Sequence, residues 1–281
     1  MSETDSEIIN IDLDSVIRSR LPHYSRFIPR WLTRWLERII CQDKLNEMLR
    51  VNRGRRDADF CRGVIDHLGI TYSVSHPDNL PAHPRAIFVS NHPLGGLDGM
   101  ILIDMITRRY GMAPRFIVND LLMAIKPLAG VFLPINKHGR QSRSSSQSID
   151  EAMASDAPVI IFPAGLVSRK GKNGVIADLE WHKMFVNKAI ASQRNVIPLH
   201  FSGHNSKFFY NFAKLRTRLG IPLNIEMVRL PAEVFRCEGA HFTVSVGQPI
   251  DWKSLSGGAS AKAEASRIRE ATYSLNRSAK C

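Results

Sequence analysis

Short, continuously apolar runs alternate along this chain with longer segments whose apolar residues recur every three to four positions. The short runs are 70–75, 86–90, 115–118, 131–135, 159–162, 196–201, 224–228 and 242–246. Helix-like stretches lie between many of them, at 99–109, 142–155, 179–193 and 206–219, with a last one at 261–275. A strand that is apolar on both sides has to be covered on both sides, and helices crossing over between parallel strands are what cover it. The alternation therefore predicts an α/β fold, a mixed and largely parallel central sheet covered by helices. No segment reaches the roughly 18 consecutive apolar residues that a membrane-spanning helix requires.

The N-terminal quarter has a different character. Residues 1–20 are polar and mixed in charge, and Asp57 to Leu68 reads as a helix ended by Gly69. In 29–50 the apolar residues Trp31, Leu32, Trp35, Leu36, Ile39 and Ile40 keep helical spacing, while Arg30, Arg34 and Arg38 form a separate row four residues apart. Pro29 suits the first turn of that helix. Indole rings settle at the headgroup level of a bilayer and guanidinium groups meet lipid phosphates, so Trp31, Trp35, Arg30, Arg34 and Arg38 form a candidate membrane-docking set. An ordinary amphipathic helix packed on a core would give the same periodicity. The expected organisation is a lead-in with amphipathic helices over 1–69 and one large domain over 70–281.

Charge narrows the partners. The formal net charge is +12, which calls for something anionic: nucleic acid, an acidic carrier protein or the phosphate face of a membrane. No RNA-binding aromatic motif or recognition helix accompanies it, and nucleic acid is not expected. The four cysteines are dispersed, so neither a zinc site nor a disulfide framework is expected. His200 and His204 stand four apart, but Pro198 and Gly203 interrupt any helix there and metal ligation is not expected. The acidic, polar N-terminus lacks the basic and then apolar pattern of a secretory signal, which points to a cytoplasmic location.

Two segments carry the chemistry. The run 86–90 leads directly into Asn91-His92-Pro93-Leu94-Gly95-Gly96-Leu97-Asp98. A histidine just beyond a buried strand sits where α/β folds place their ligands, and an imidazole that handles protons near neutral pH needs a carboxylate on its second nitrogen. Asp98 can supply that carboxylate; it is also a good N-cap for the helix that follows. Glycines 95 and 96 free backbone N–H groups that could stabilise an oxyanion. The second segment, Phe162-Pro163-Ala164-Gly165-Leu166-Val167-Ser168-Arg169, again leaves the end of a strand. Trp181 and His182 read as part of a packed helix, with Asp178 and Trp181 able to line an apolar groove.

These segments resemble the motifs of the glycerophospholipid, or lysophosphatidic acid, acyltransferase superfamily, in the family's order. The first family motif is Asn-His, four residues, then Asp; here five residues separate His92 from Asp98. The stretch 130–137, ending in Lys137, is similar to the second motif, whose basic residue binds the acceptor's phosphate, and Arg140 lies nearby. The third motif is Phe-Pro-Glu-Gly, and here Ala164 takes the place of the Glu. Val196-Ile197-Pro198-Leu199 is similar to the closing motif. The combination His-Pro-x-Gly-Gly-x-Asp with Phe-Pro-Ala-Gly looks closest to a haemolysin-like branch that acylates lyso-aminolipids such as lyso-ornithine or lyso-glycine lipids.

The resemblance implies transfer of a fatty acyl group from an acyl carrier protein or coenzyme A thioester to a hydroxyl of a lyso-lipid, at the inner face of the cytoplasmic membrane. His92 would be the general base and Asp98 its orienting carboxylate. Asn91, Gly95, Gly96, Lys137, Arg140, Phe162, Pro163, Gly165, Ser168 and Arg169 would form the substrate site, with N–H groups near Gly95 and Gly165 as oxyanion donors. No bound cofactor is implied beyond the thioester co-substrate. Two other readings remain: acylation of lysophosphatidic acid in phospholipid synthesis, and noncatalytic lipid binding at a membrane surface.

Overall fold

The computed structural model describes residues 12–13, 29–135, 143–171, 173–221 and 223–278. Lys137 and Arg140 lie outside these residues, as does nearly all of the 1–20 lead-in. The chain divides into two compact units, one of Arg56–Asn205 and Gly239–Cys281, the other of Met1–Arg55 and Ser206–Glu238.

In chain order the elements are α1 (Arg30–Ile39), α2 (Gln42–Val51), α3 (Asp57–His67), β1 (Thr71–Ser75), β2 (Ile87–Ser90), α4 (Leu97–Tyr110), β3 (Arg115–Asn119) and β4 (Phe132–Ile135). Then follow α5 (Arg143–Ala154), β5 (Val159–Ile161), the short strands β6 (Arg169–Lys170) and β7 (Ile176–Ala177), and α6 (Met184–Ser192). The chain continues through β8 (Val196–Phe201), α7 (Lys207–Arg218), α8 (Leu230–Arg236), β9 (His241–Val246) and α9 (Ala261–Ser278).

The larger unit is built on a seven-stranded sheet in the order β1-β9-β8-β2-β5-β3-β4, in which the β8–β9 pair alone is antiparallel. This is the mixed, largely parallel α/β sheet that the alternating pattern predicts. The central strands β2, β5 and β8 are buried along their whole length, as continuous apolar runs require. Helices α5, α6 and α9 bring Ile149, Phe185, Val186, Ala265 and Ile268 into one core with Ile87, Val89 and Ile161. None of the described helices is long and apolar enough to cross a membrane.

Three elements differ from expectation. The run 224–228 is not a strand but a 3-10 helix, Ile225–Arg229, because Glu226 is buried and its carboxylate meets Arg216 of α7 at 2.8 Å. A helical turn presents that one residue inward, whereas a strand would turn Asn224 and Val228 to the same side. The helix expected over 29–50 is two, broken at Ile40 and Cys41; Cys41 is left-handed (φ 53°) and α2 restarts after it. The helix expected over 179–193 begins only at Met184, so Trp181 and His182 precede it. There the His182 N–H donates to the Pro163 carbonyl and Arg269 donates to the Asp178 carbonyl, which holds the segment out of helical register.

Candidate active site

Strands β2 and β5 are parallel neighbours with Val89 opposite Ile161, so the two motif segments leave the sheet side by side at the same end. Beyond β2, Asn91 is buried and bridges to β8: its Nδ2 donates to the Phe201 carbonyl at 2.9 Å and its Oδ1 accepts from the Phe201 N–H at 2.7 Å. Its amide extends the β2–β8 ladder by one residue. Asn91 therefore anchors the start of the loop to β8 from a buried position.

His92 is fixed from four sides. Its N–H donates to Asp178 Oδ1 at 3.2 Å and its carbonyl accepts from the Ser168 N–H at 2.8 Å, so its peptide is clamped on both sides of Cα. The imidazole stacks on the Phe162 ring with centroids 4.0 Å apart and planes 19° from parallel. Its Nδ1 lies 2.9 Å from Asp98 Oδ2. With Nδ1 so engaged, Nε2 is the nitrogen that faces outward, on a side chain that is 15% exposed.

Asp98 is fully buried in the first turn of α4. Gly96 is the residue that caps α4, so Asp98 does not serve as its N-cap. Its carboxylate folds back over the helix start instead, where Oδ2 accepts from the N–H groups of Leu94 (2.9 Å) and Gly95 (3.4 Å) and Oδ1 from that of Gly99 (2.9 Å). The loop makes this return with Gly95 in a left-handed conformation (φ 85°), which glycine adopts at little cost. The five-residue spacing thus allows a direct His92–Asp98 contact, because Asp98 sits one step inside the helix and reaches backward. Burial alone would raise the Asp98 pKa. The charge of His92, its hydrogen bond and the N–H groups of Leu94 and Gly99 outweigh burial and hold the carboxyl below its ordinary value, so it stays ionised beside the ring.

A second buried carboxylate, Asp178, organises the other side. Its Oδ1 accepts from the His92 N–H and from the Ser168 hydroxyl (2.5 Å), and its Oδ2 from Trp181 Nε1 (2.9 Å). Its own N–H donates to the Tyr273 hydroxyl at 2.7 Å, and Arg269 donates to its carbonyl at 2.6 Å, which ties the segment to α9. Neither Asp178 nor Trp181 lines a groove: both are buried and bound to protein. Burial, more than the nearby charge of Asp178, raises the Tyr273 phenol pKa well above its usual range.

The family model described as acyltransferase matches residues 15–281. The chain belongs to the acyltransferase family. The lyso-glycine lipid O-acyltransferase of Bacteroides thetaiotaomicron is 38% identical over 272 residues, which is 97% of this chain and 100% of that protein. The protein of the same name from Phocaeicola vulgatus is 38% identical over 272 residues, 97% of each chain. Among solved structures, the 1-acyl-sn-glycerophosphate (LPA) acyltransferase PlsC of Thermotoga maritima is 16% identical and superposes with a TM-score of 0.47 over 94% of this chain and 91% of that one. A likeness that low says nothing about substrate.

In this acyltransferase several expected contacts are already in use. Ser168 is buried, its hydroxyl on Asp178 and its N–H on His92, so it clamps the histidine loop and does not face an acceptor. The Gly165 N–H closes a turn onto the Phe162 carbonyl at 2.9 Å, and the Gly95 N–H points to Asp98 at 3.4 Å. Both N–H groups are therefore engaged within the protein, not turned to an oxyanion. The N–H groups of Gly96 and Leu97, at the start of α4, engage no acceptor among the described residues. Ala164 is packed in the core beside Ile161 and Trp181, where a Glu would put a carboxylate among apolar side chains. Pro163 is buried, and Arg169 lies on β6 with Nη1 donating to the Val167 carbonyl at 3.1 Å.

Trp31 and Trp35 are 69% and 53% exposed on α1, and Arg30, Arg34 and Arg38 are exposed as well. The indole rings are exposed and not packed on a core. The hub at Asp178 is the part of the site that the motifs do not show; its signal is an Asn-Gly pair followed by an Asp three residues before a Trp.

Proposed function

We propose that this acyltransferase moves a fatty acyl group from a thioester, on acyl carrier protein or coenzyme A, to the free hydroxyl of a lyso-glycine lipid, at the inner face of the cytoplasmic membrane. The observation that carries this reading is the His92–Asp98 pair with Nε2 outward, in a chain aligned over 97% of its length with two lyso-glycine lipid O-acyltransferases.

His92 Nε2 takes the proton of the acceptor hydroxyl as its oxygen bonds to the thioester carbonyl carbon. Asp98 holds Nδ1–H, fixes the tautomer and stabilises the imidazolium that forms. The carbonyl oxygen becomes a tetrahedral oxyanion, and the N–H groups of Gly96 and Leu97 are its nearest unengaged donors along the motif. Collapse of that intermediate breaks the carbon–sulfur bond, and the imidazolium returns its proton to the departing thiolate. The products are an ester and a free thiol, with no acyl-enzyme. Phe162 sets the ring plane, and Asp178 and Ser168 hold the His92 backbone. Lys137, Arg140 and Arg169 are the cations proposed for the acceptor's acidic head.

The test is release of free thiol from acyl coenzyme A or acyl carrier protein on addition of lyso-glycine lipid, with the product identified by mass spectrometry. Thiol release that requires lyso-glycine lipid supports the reading. Release that requires lysophosphatidic acid instead would move the acceptor to phospholipid synthesis, and no release with either would leave lipid binding alone.

A further inference from the structure

Helix α7 is apolar on two opposite sides. Phe209, Tyr210 and Ala213 form its buried side. Phe208, Phe212 and Leu215, with Leu219 just past the last residue, recur at intervals of four, three and four and make a second stripe on the far side. Phe208, Leu215 and Leu219 are 56%, 52% and 65% exposed, and the rings of Phe208 and Phe212 stack 5.9 Å apart. The chain that follows continues the pattern with Leu223, Ile225 and Val228. Six of the thirteen large apolar side chains exposed among the described residues fall within 207–229. Isolated exposed apolar residues need no explanation, but a contiguous patch marks a surface that is covered in use.

Charge identifies what covers it. Lys207, Lys214 and Arg218, spaced seven and four apart, run as an exposed row along one flank of the stripe. The segment 207–229 contains a single carboxylate, Glu226, which is buried against Arg216, so no acid of this segment faces outward with the row. The Arg229 guanidinium lies 4.4 Å over the Phe208 ring and adds a cation to the stripe. An apolar stripe edged by cations suits an anionic lipid surface, which takes the rings at acyl depth and the cations at its phosphates. A second copy of the chain would bring the same basic row against its own.

We propose that the Phe208–Leu219 stripe of α7, with Lys207, Lys214 and Arg218, docks on the anionic face of a lipid bilayer. The element is separate from α1 and its tryptophans, and the inference does not depend on which acceptor is acylated. Binding of the full chain is measured on phosphatidylcholine vesicles with and without phosphatidylglycerol. Two triple variants are compared with wild type: Phe208→Ser/Leu215→Ser/Leu219→Ser and Lys207→Gln/Lys214→Gln/Arg218→Gln. The wild type binds the phosphatidylglycerol vesicles, and salt weakens the binding. The charge variant loses on the order of 100-fold, the weight three surface cations carry at an anionic membrane. The apolar variant loses binding as well, while both transfer acyl groups normally to acceptor dispersed in detergent. Should the apolar variant melt well below wild type, the charge variant decides alone. Absence of wild-type binding, or binding unchanged in the charge variant, would overturn the proposal. So would a wild-type dimer that the apolar variant dissociates without any change in vesicle binding.

Discussion

The Nδ1 atom of His92 and the Oδ2 atom of Asp98 are 2.9 Å apart, although the two residues lie on opposite sides of a glycine turn, one in a loop and the other inside a helix. The same Oδ2 accepts the N–H of Leu94, so ring orientation and loop shape depend on one buried oxygen. Asp98→Asn keeps the shape but removes the charge and offers a donor where an acceptor is needed. The expected loss in kcat is about 10²–10⁴-fold, the range general-base catalysis supplies, with KM for the thioester nearly unchanged. Steady-state thiol release checks it; a loss confined to KM would show that Asp98 acts on substrate and not on the ring.

Asp178 acts through the His92 backbone. In Asp178→Asn, one of the three donors now gathered by its carboxylate faces an NH₂ group, at a cost of about 1–3 kcal/mol for the donor left unsatisfied. Ser168→Ala removes one donor to a buried carboxylate but leaves the Ser168 N–H on the His92 carbonyl, at a cost of about 1.5–3 kcal/mol. Kinetically, Asp178→Asn lowers kcat more than it raises KM, because the base and not the binding surface moves. An unchanged kcat in a folded Asp178→Asn protein would show that Asp178 is not the hub.

Gly99 lies under the aromatic cluster beneath His92. A Cβ there would come 2.8 Å from the Phe116 ring and 3.7 Å from the Phe162 ring, on which His92 stacks. Gly99→Ala gains about 1 kcal/mol of helix propensity but overpacks a site where Phe116 is itself buried, at about 1–3 kcal/mol. The net expectation is a lower melting temperature together with reduced kcat as the Phe162 ring shifts. A more stable and fully active variant would show that the cluster yields freely.

His200 gives the fold a pH dependence. It is buried on β8 against the Tyr273 ring, and burial lowers its pKa from 6.5 to about 4. Between those values the unfolded chain binds a proton that the folded protein does not, so stability falls as pH is lowered from 6.5 toward about 4. The loss over that window is about 3 kcal/mol for this residue. His200→Gln flattens the curve of denaturation midpoint against pH over the same window; a curve of unchanged slope would rule His200 out as its source.

The sheet was legible because buried parallel strands such as 86–90 and 159–161 are apolar without interruption, and both chemical motifs begin where those runs stop. Other features were hidden by the same periodicity that revealed these. Ile40 and Cys41 continue the apolar repeat of α1, so nothing in the pattern marks the left-handed residue that divides it from α2. Ile225 and Val228 read as strand because the burial of Glu226 on Arg216 cannot be seen locally. The His92–Asp98 pair could be read because both partners sit in one motif. Asp178 could not, since its partners come from positions 92, 168, 181, 269 and 273 and meet only once the sheet and α9 are assembled.

The central claim is that His92 is the base, and His92→Ala tests it most directly. The substitution removes an imidazole that is partly open to solvent and leaves the backbone clamp to Asp178 and Ser168 in place, so the fold persists with nearly the wild-type melting temperature. Thiol release from acyl coenzyme A or acyl carrier protein in the presence of lyso-glycine lipid should then fall by about 10²–10⁴-fold or more, down to background. Transfer near the wild-type rate in a folded His92→Ala protein would contradict the account.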